Sequence, residues 1–244
     1  MSHHMGTFET KDFLVGGNLK AAILIDGGYY RKVALKTLRK NNSPEDDAKT
    51  LIKYCMRHLK ERRGENETFY DLYRIFYYDC PPLDTSVFHP LSNTVINMKK
   101  EYQYTWMNTF LKELKKTRKV ALRLGRLSEN ETRYTLKYES VKKLLNKTLT
   151  LEELSKQDFQ ITSTQKGVDM KIGVDIASLA YKKQVDKIVL LAGDSDFVPA
   201  AKLTRREGID FVLDSLGRKI KDDLFEHIDG LRCCDDKLKI QNNR

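Results

Sequence analysis

Residues 187–192, KIVLLA, constrain the fold more than any other stretch. The apolar run reads as a buried strand. It passes into Gly193, Asp194, Ser195 and Asp196, and Asp196 to Glu207 then has helical spacing. Pro199 is tolerated in the first turn of that helix, and Gly208 ends it. Ala21 to Ile25 (AAILI) repeats the arrangement, ending in Asp26-Gly27-Gly28 before a helical segment, Tyr29 to Lys40. Strands alternating with helices predict an α/β fold, a mostly parallel sheet with helices on both faces and right-handed crossovers.

The remaining segments extend the pattern. Ser43-Pro44 starts a helix with Ser at its N-cap and Pro at its first position, and the helix is expected to end near Gly64. Leu72 to Tyr78 and Val120 to Leu124 read as strands, the first ending in Asp79 and stopped by Pro81-Pro82. Thr105 to Lys119 and Val168 to Lys183 have helical spacing; Ser140 to Ser155 is expected as an exposed helix and Lys219 to Ile228 as the last one. Thr132 to Tyr138 and Phe159 to Thr162 are short-strand candidates, and Ile209 to Leu213 is a further strand. The expected organisation is an extension at residues 1–20, one domain over 21–230 with a basic insertion around 99–150, and a polar tail at 231–244.

The formal net charge is +10, and it is concentrated. From Lys99 to Lys147 there are fourteen Lys and Arg against five Glu, which is +9 in one fifth of the chain. Tyr102, Tyr104, Trp106, Phe110, Tyr134 and Tyr138 are interleaved there. A polyanion suits such a segment, with aromatics for base stacking. Lys115, Lys116, Arg123 and Arg126 are its candidate contacts to RNA.

Other chemistries are poorly served. No apolar run approaches a membrane span, so no membrane partner is expected. Cys55, Cys80, Cys233 and Cys234 form no CxxC pair, and free thiols in a reducing cytoplasm are expected. The chain contains no GxxxxGK[ST], GxGxxG or GxSxG.

Acidic residues gather at predicted strand ends, where ligands of parallel sheets bind. On a helical wheel of about 100° per residue, Val168, Ile172, Ile176 and Leu179 form an apolar stripe, and Asp175 falls inside it. A carboxylate there is costly unless paired or metal-bound. Asp169, in the first turn, can reach the same crevice. Asp26, Asp169, Asp175, Asp194 and Asp196 are therefore candidate ligands for Mg²⁺ or Mn²⁺, hard cations that prefer oxygen. Lys166 and Ser195 are candidates for holding a phosphate. Each residue also has a local alternative: Asp194, Asp196 or Ser195 as a helix cap, Asp169 at a helix dipole, Asp26 in a turn, and Asp175 paired with an Arg or a backbone amide.

These motifs resemble the NYN domain, and more narrowly its LabA-like branch within the PIN-like nuclease superfamily. The resemblance rests on Ile25-Asp26, KGVD (Lys166 to Asp169), Val174-Asp175 and GDSDF (Gly193 to Phe197), with YYDCPP (Tyr77 to Pro82) and RLGRL (Arg123 to Leu127) in support. It implies a three-layer α/β/α sandwich and a metal-dependent ribonuclease, with Asp26, Asp169, Asp194 and Asp196 as metal-binding acids and Asp175 as a second acid of the KGVD helix. A homodimer is also compatible with it. One departure stands out: the family often carries Asn two or three residues after the first Asp, where this chain has Gly28 and Tyr29. The alternative is a non-catalytic RNA-binding module.

Overall fold

The computed structural model describes residues 19–38 and 43–240. Six strands form one central sheet: β1 (Lys20–Asp26), β2 (Asp71–Asp79), β3 (Val120–Leu124), β4 (Lys187–Leu191), β5 (Asp210–Asp214) and β6 (Gly230–Leu231). Their spatial order is β6-β5-β4-β1-β2-β3, and every pairing is parallel. β1 sits at the centre, in register with β4 through Ile25 and Leu191.

Alternation along β1 divides the core in two, because successive side chains on a strand point to opposite faces. Ala21, Ile23 and Ile25 pack with Tyr30, Leu51, Tyr54, Trp106 and Phe110. Those residues come from α1 (Gly27–Val33), α2 (Pro44–Met56) and α3 (Tyr102–Lys116). Ala22 and Leu24 face the other way, onto Val168, Ile172, Ile176 and Ala201 of α4 (Val168–Tyr181) and α5 (Val198–Arg206). The result is a three-layer α/β/α sandwich. Both faces of β1 and β4 are covered, which is why these strands read as unbroken apolar runs.

Local signals account for most boundaries. The Ser43 hydroxyl accepts from the Asp46 N–H at 3.1 Å and Pro44 opens α2. That helix stops at Met56, however, and residues 60–69 form a hairpin with Gly64 (φ 62°) in its turn. The helix expected over Ser140–Ser155 is confined to Tyr138–Leu145, since Lys147 turns left-handed (φ 58°) and its N–H bonds back to Leu144. Only Asp222–Phe225 is helical within Lys219–Ile228. Small antiparallel pairs, 86–89 with 94–97 and 133–136 with 159–162, lie outside the main sheet.

Half of the expected basic insertion belongs to the body of the domain, because it contains α3 and β3. Residues 1–18 of the expected extension lie outside the described residues. In the expected tail, Asp236–Ile240 is a short helix whose Leu238 is buried. Among the described residues no helix is long and apolar enough to cross a membrane.

Candidate functional site

The strand order reverses between β1 and β4, and in such sheets the crevice for a ligand opens there, at the carboxyl ends. β1 ends in Asp26; β4 runs through buried Ala192 to Gly193 and Asp194. The Asp26 carboxylate caps α1, with Oδ1 accepting from the Tyr29 N–H at 3.0 Å. Asp194 Oδ1 accepts from the Asp196 N–H at 3.1 Å and so caps the turn 195–197. Asp169 stands in the first turn of α4, after Gly167 (φ 81°).

These elements enclose a cleft of about 450 Å³. Asp26, Asp169 and Asp194 line it together, with Ser195, Lys32 and Lys221. Asp196 does not line the cleft, although its charge acts on Asp169. Burial raises the Asp169 carboxyl above its ordinary range, and the charges of Asp194 and Asp196 raise it further. Asp26 is also raised, first by burial and then by Asp169 and Asp79, against the opposing bond from Tyr29.

The donor set is all oxygen, which suits Mg²⁺ or Mn²⁺ rather than a softer ion. Among the described residues, no three Asp, Glu, His or Cys side chains converge closely enough to form a ready cage. Three carboxylates lining one cleft fit a hydrated hard cation, which completes its shell with water and phosphate oxygens.

Several candidates lie elsewhere. Asp175 is engaged on the sheet face: its Oδ2 accepts from the Tyr78 hydroxyl at 2.7 Å and from Arg123 Nε at 3.1 Å. That pairing accounts for a carboxylate on the apolar stripe, and Arg123 does not line the cleft. Lys166 pairs with Glu131 at 3.0 Å. Gln165 lines the cleft instead, because adjacent residues on the short ladder with Arg126 and Leu127 face opposite ways. Arg126 is exposed on that ladder. Lys115 and Lys116 sit at the end of α3, just before β3 begins, and therefore at the opposite edge of the sheet. Of the interleaved aromatics, Trp106 and Phe110 are core residues stacked on one another at 5.0 Å, and Tyr134 packs against His89.

The residues missed from the sequence are Lys32, Lys221, Tyr29 and Gln165. Lys32 was legible, since it follows Gly28 by four positions on α1. Lys221 reaches Ser195 Oγ at 3.3 Å across 26 positions, and no local pattern announces that contact. The Tyr29 hydroxyl donates to the Ser215 carbonyl at 2.7 Å, and burial raises this phenol to about 12, so it is neutral at ordinary pH.

No match is found among curated proteins. Among solved structures, a Vibrio parahaemolyticus protein of unknown function aligns with a TM-score of 0.45 and 13% identity, covering 90% of this chain and 95% of that one. The family model of the NYN domain matches residues 84–227, which includes Asp169, Asp194 and Asp196 and begins after Asp26. With that match spanning more than half of the sequence, and a parallel α/β/α sheet beneath it, the chain belongs to the NYN domain family.

Proposed function

We propose that this protein is a Mg²⁺- or Mn²⁺-dependent ribonuclease that cuts single-stranded RNA internally, using Asp26, Asp169, Asp194 and Asp196. One observation carries the reading: Asp26, Asp169 and Asp194 share one cleft at the strand reversal, and two of their carboxyls are raised by burial and mutual repulsion. Asp26, Asp169 and Asp194 would hold the cation, with Asp196 supplying further negative charge beside it. The bound cation supplies Lewis-acid polarisation of the phosphoryl oxygen and a more acidic water.

The chain's own groups do the rest. Caps fix Asp26 and Asp194 before substrate arrives, so little ordering is left for the moment of binding. Lys32 and Lys221 bring positive charge into the acidic cleft, where a phosphodiester needs it. Tyr29 stands where the family often carries Asn, and its hydroxyl is committed to Ser215. It therefore serves as a wall of the cleft rather than as a ligand.

KGVD and GDSDF support placement in the LabA-like branch. Four free cysteines support a reducing cytoplasm as the site of action. A homodimer forms part of the proposal, and sedimentation tests it.

A second reading, an RNA-binding module without catalysis, is favoured by the lack of a converged trio of ligands among the described residues. One experiment separates the two: labelled single-stranded RNA incubated with Mn²⁺, Mg²⁺ or EDTA, beside Asp194→Asn. Products that require both metal and Asp194 support the nuclease. Tight binding without products in any metal overturns it in favour of the binding module.

A further inference from the structure

We propose that an unpaired base of the bound RNA strand enters a second pocket beside the acidic cleft, against Tyr104, Met107 and Ile161, with Gln165 at the junction of the two spaces. The inference rests on the reading of RNA as substrate and adds a base subsite to it.

This pocket has a volume of about 240 Å³. Drug-sized ligands occupy about 300–1,000 Å³, so the space suits one ring system rather than a whole nucleotide. Three distant segments close around it. Pro81 and Pro82 follow β2, Tyr104 and Met107 belong to α3, and Leu127 and Ile161 come from the small ladders outside the main sheet. These walls are largely apolar, and the buried Met107 adds an adaptable thioether that packs well against flat rings. Tyr104 supplies an aromatic face; it is half-buried, and among the described residues no other ring stacks on it. Gln103 and Gln165 add amides, and Arg31 adds N–H donors. Asp79 grips the Arg31 guanidinium through Nε at 2.9 Å and Nη2 at 2.7 Å, which fixes the group and leaves it donors beyond that fork. Every base carries ring or carbonyl acceptors for such donors, so this recognition tolerates sequence.

Continuity with the cleft decides the occupant. Gln165 lines both spaces. Its amide lies over Gly28, where a side-chain carbon would stand 3.4 Å from both Gln165 Oε1 and Asp26 Oδ1. The pocket and the acidic cleft are thus separated by a single side chain. A strand with its scissile phosphate among Asp26, Asp169 and Asp194 has a neighbouring base within reach of the pocket. Only an unpaired base can turn into it, so the pocket selects single strands.

The test is fluorescence anisotropy of a labelled oligouridylate in EDTA, where metal-dependent cleavage is silent, with wild type, Tyr104→Ala, Tyr104→Phe and Ile161→Trp. Tyr104→Ala removes the aromatic face and is expected to bind roughly 5- to 150-fold more weakly, the range for one stacked base, while Tyr104→Phe binds like wild type. Ile161→Trp fills the pocket and is expected to lose affinity to a similar extent. An abasic oligomer of equal length is expected to bind all four proteins alike, and more weakly than wild type binds the uridylate. Unchanged uridylate affinity in either Tyr104→Ala or Ile161→Trp overturns the base subsite and leaves the nuclease standing. An equal loss on the abasic oligomer overturns it too. Wild type that neither binds nor cleaves RNA overturns the nuclease reading and this inference together.

Discussion

Gly193 lies against the ring of Tyr29: a side-chain carbon on Gly193 would stand 2.6 Å from Tyr29 Cε2, inside van der Waals contact. The glycine of the GDSDF turn is thus a packing requirement of the residue that walls the cleft. Gly193→Ala should displace either the ring or the turn carrying Asp194. The expected result is a loss of about 1–3 kcal/mol in urea unfolding, together with a fall in metal-dependent cleavage.

Asp169 and Asp175 lie on the same helix but have different surroundings. Asp175 is paired with Arg123 and accepts from the Tyr78 hydroxyl, whereas Asp169 feels the charges of Asp194 and Asp196. Asp175→Asn should leave cleavage near the wild-type rate and cost at most about 1–2 kcal/mol of stability. Asp169→Asn should abolish cleavage. Parallel rate and denaturation measurements on the two variants check this, and loss of cleavage in both would return Asp175 to the site.

The pH dependence of stability follows from the same contrast. The Asp169 carboxyl is raised in the folded protein above its ordinary value of 3.8, so the folded state binds that proton more tightly than the unfolded chain does. Its contribution is fully present below 3.8 and is lost as pH rises through the raised value. Melting in EDTA should therefore show Asp169→Asn gaining on wild type as pH rises through that window. Mg²⁺ or Mn²⁺ should narrow the gap by favouring the ionised form in wild type.

Arg31 forks onto Asp79, with Nη2 to Oδ1 at 2.7 Å and Nε to Oδ2 at 2.9 Å. Asp79 has no exposed surface, and the Tyr77 hydroxyl and the Cys80 N–H complete its bonding. Arg31→Met would leave a buried carboxylate without its cation. A loss of about 3–5 kcal/mol is expected by denaturant titration.

Lys32 and Lys221 line the acidic cleft, while Lys115 and Lys116 stand at the other edge of the sheet. Lys32→Ala and Lys221→Ala should each weaken RNA binding and reduce the slope of log affinity against log salt by about 1. Lys115→Ala with Lys116→Ala should leave both unchanged. The reverse pattern would move the RNA path to the basic end of α3.

Much of the fold was legible because burial leaves a periodic trace. AAILI and KIVLL are covered on both faces and read as unbroken runs, and Ser43-Pro44 announces a helix start through one hydroxyl and one fixed dihedral. Hairpin 60–69 was not legible. Its residues are mostly charged and exposed, so it carries no apolar period, and Gly64 reads equally well as a helix end or a turn.

By itself, the sequence determined which carboxylates stand at strand ends, because a strand followed by Asp and a capped helix is a local arrangement of backbone donors and acceptors. Only the tertiary structure decided which of them face one another. Asp175 meets Arg123 across 52 positions and Lys221 meets Ser195 across 26, while Asp169, Asp194 and Asp26 come together only once β1 and β4 lie side by side. A local pattern records whether a residue is buried, but the charge that sits opposite it depends on how distant elements pack.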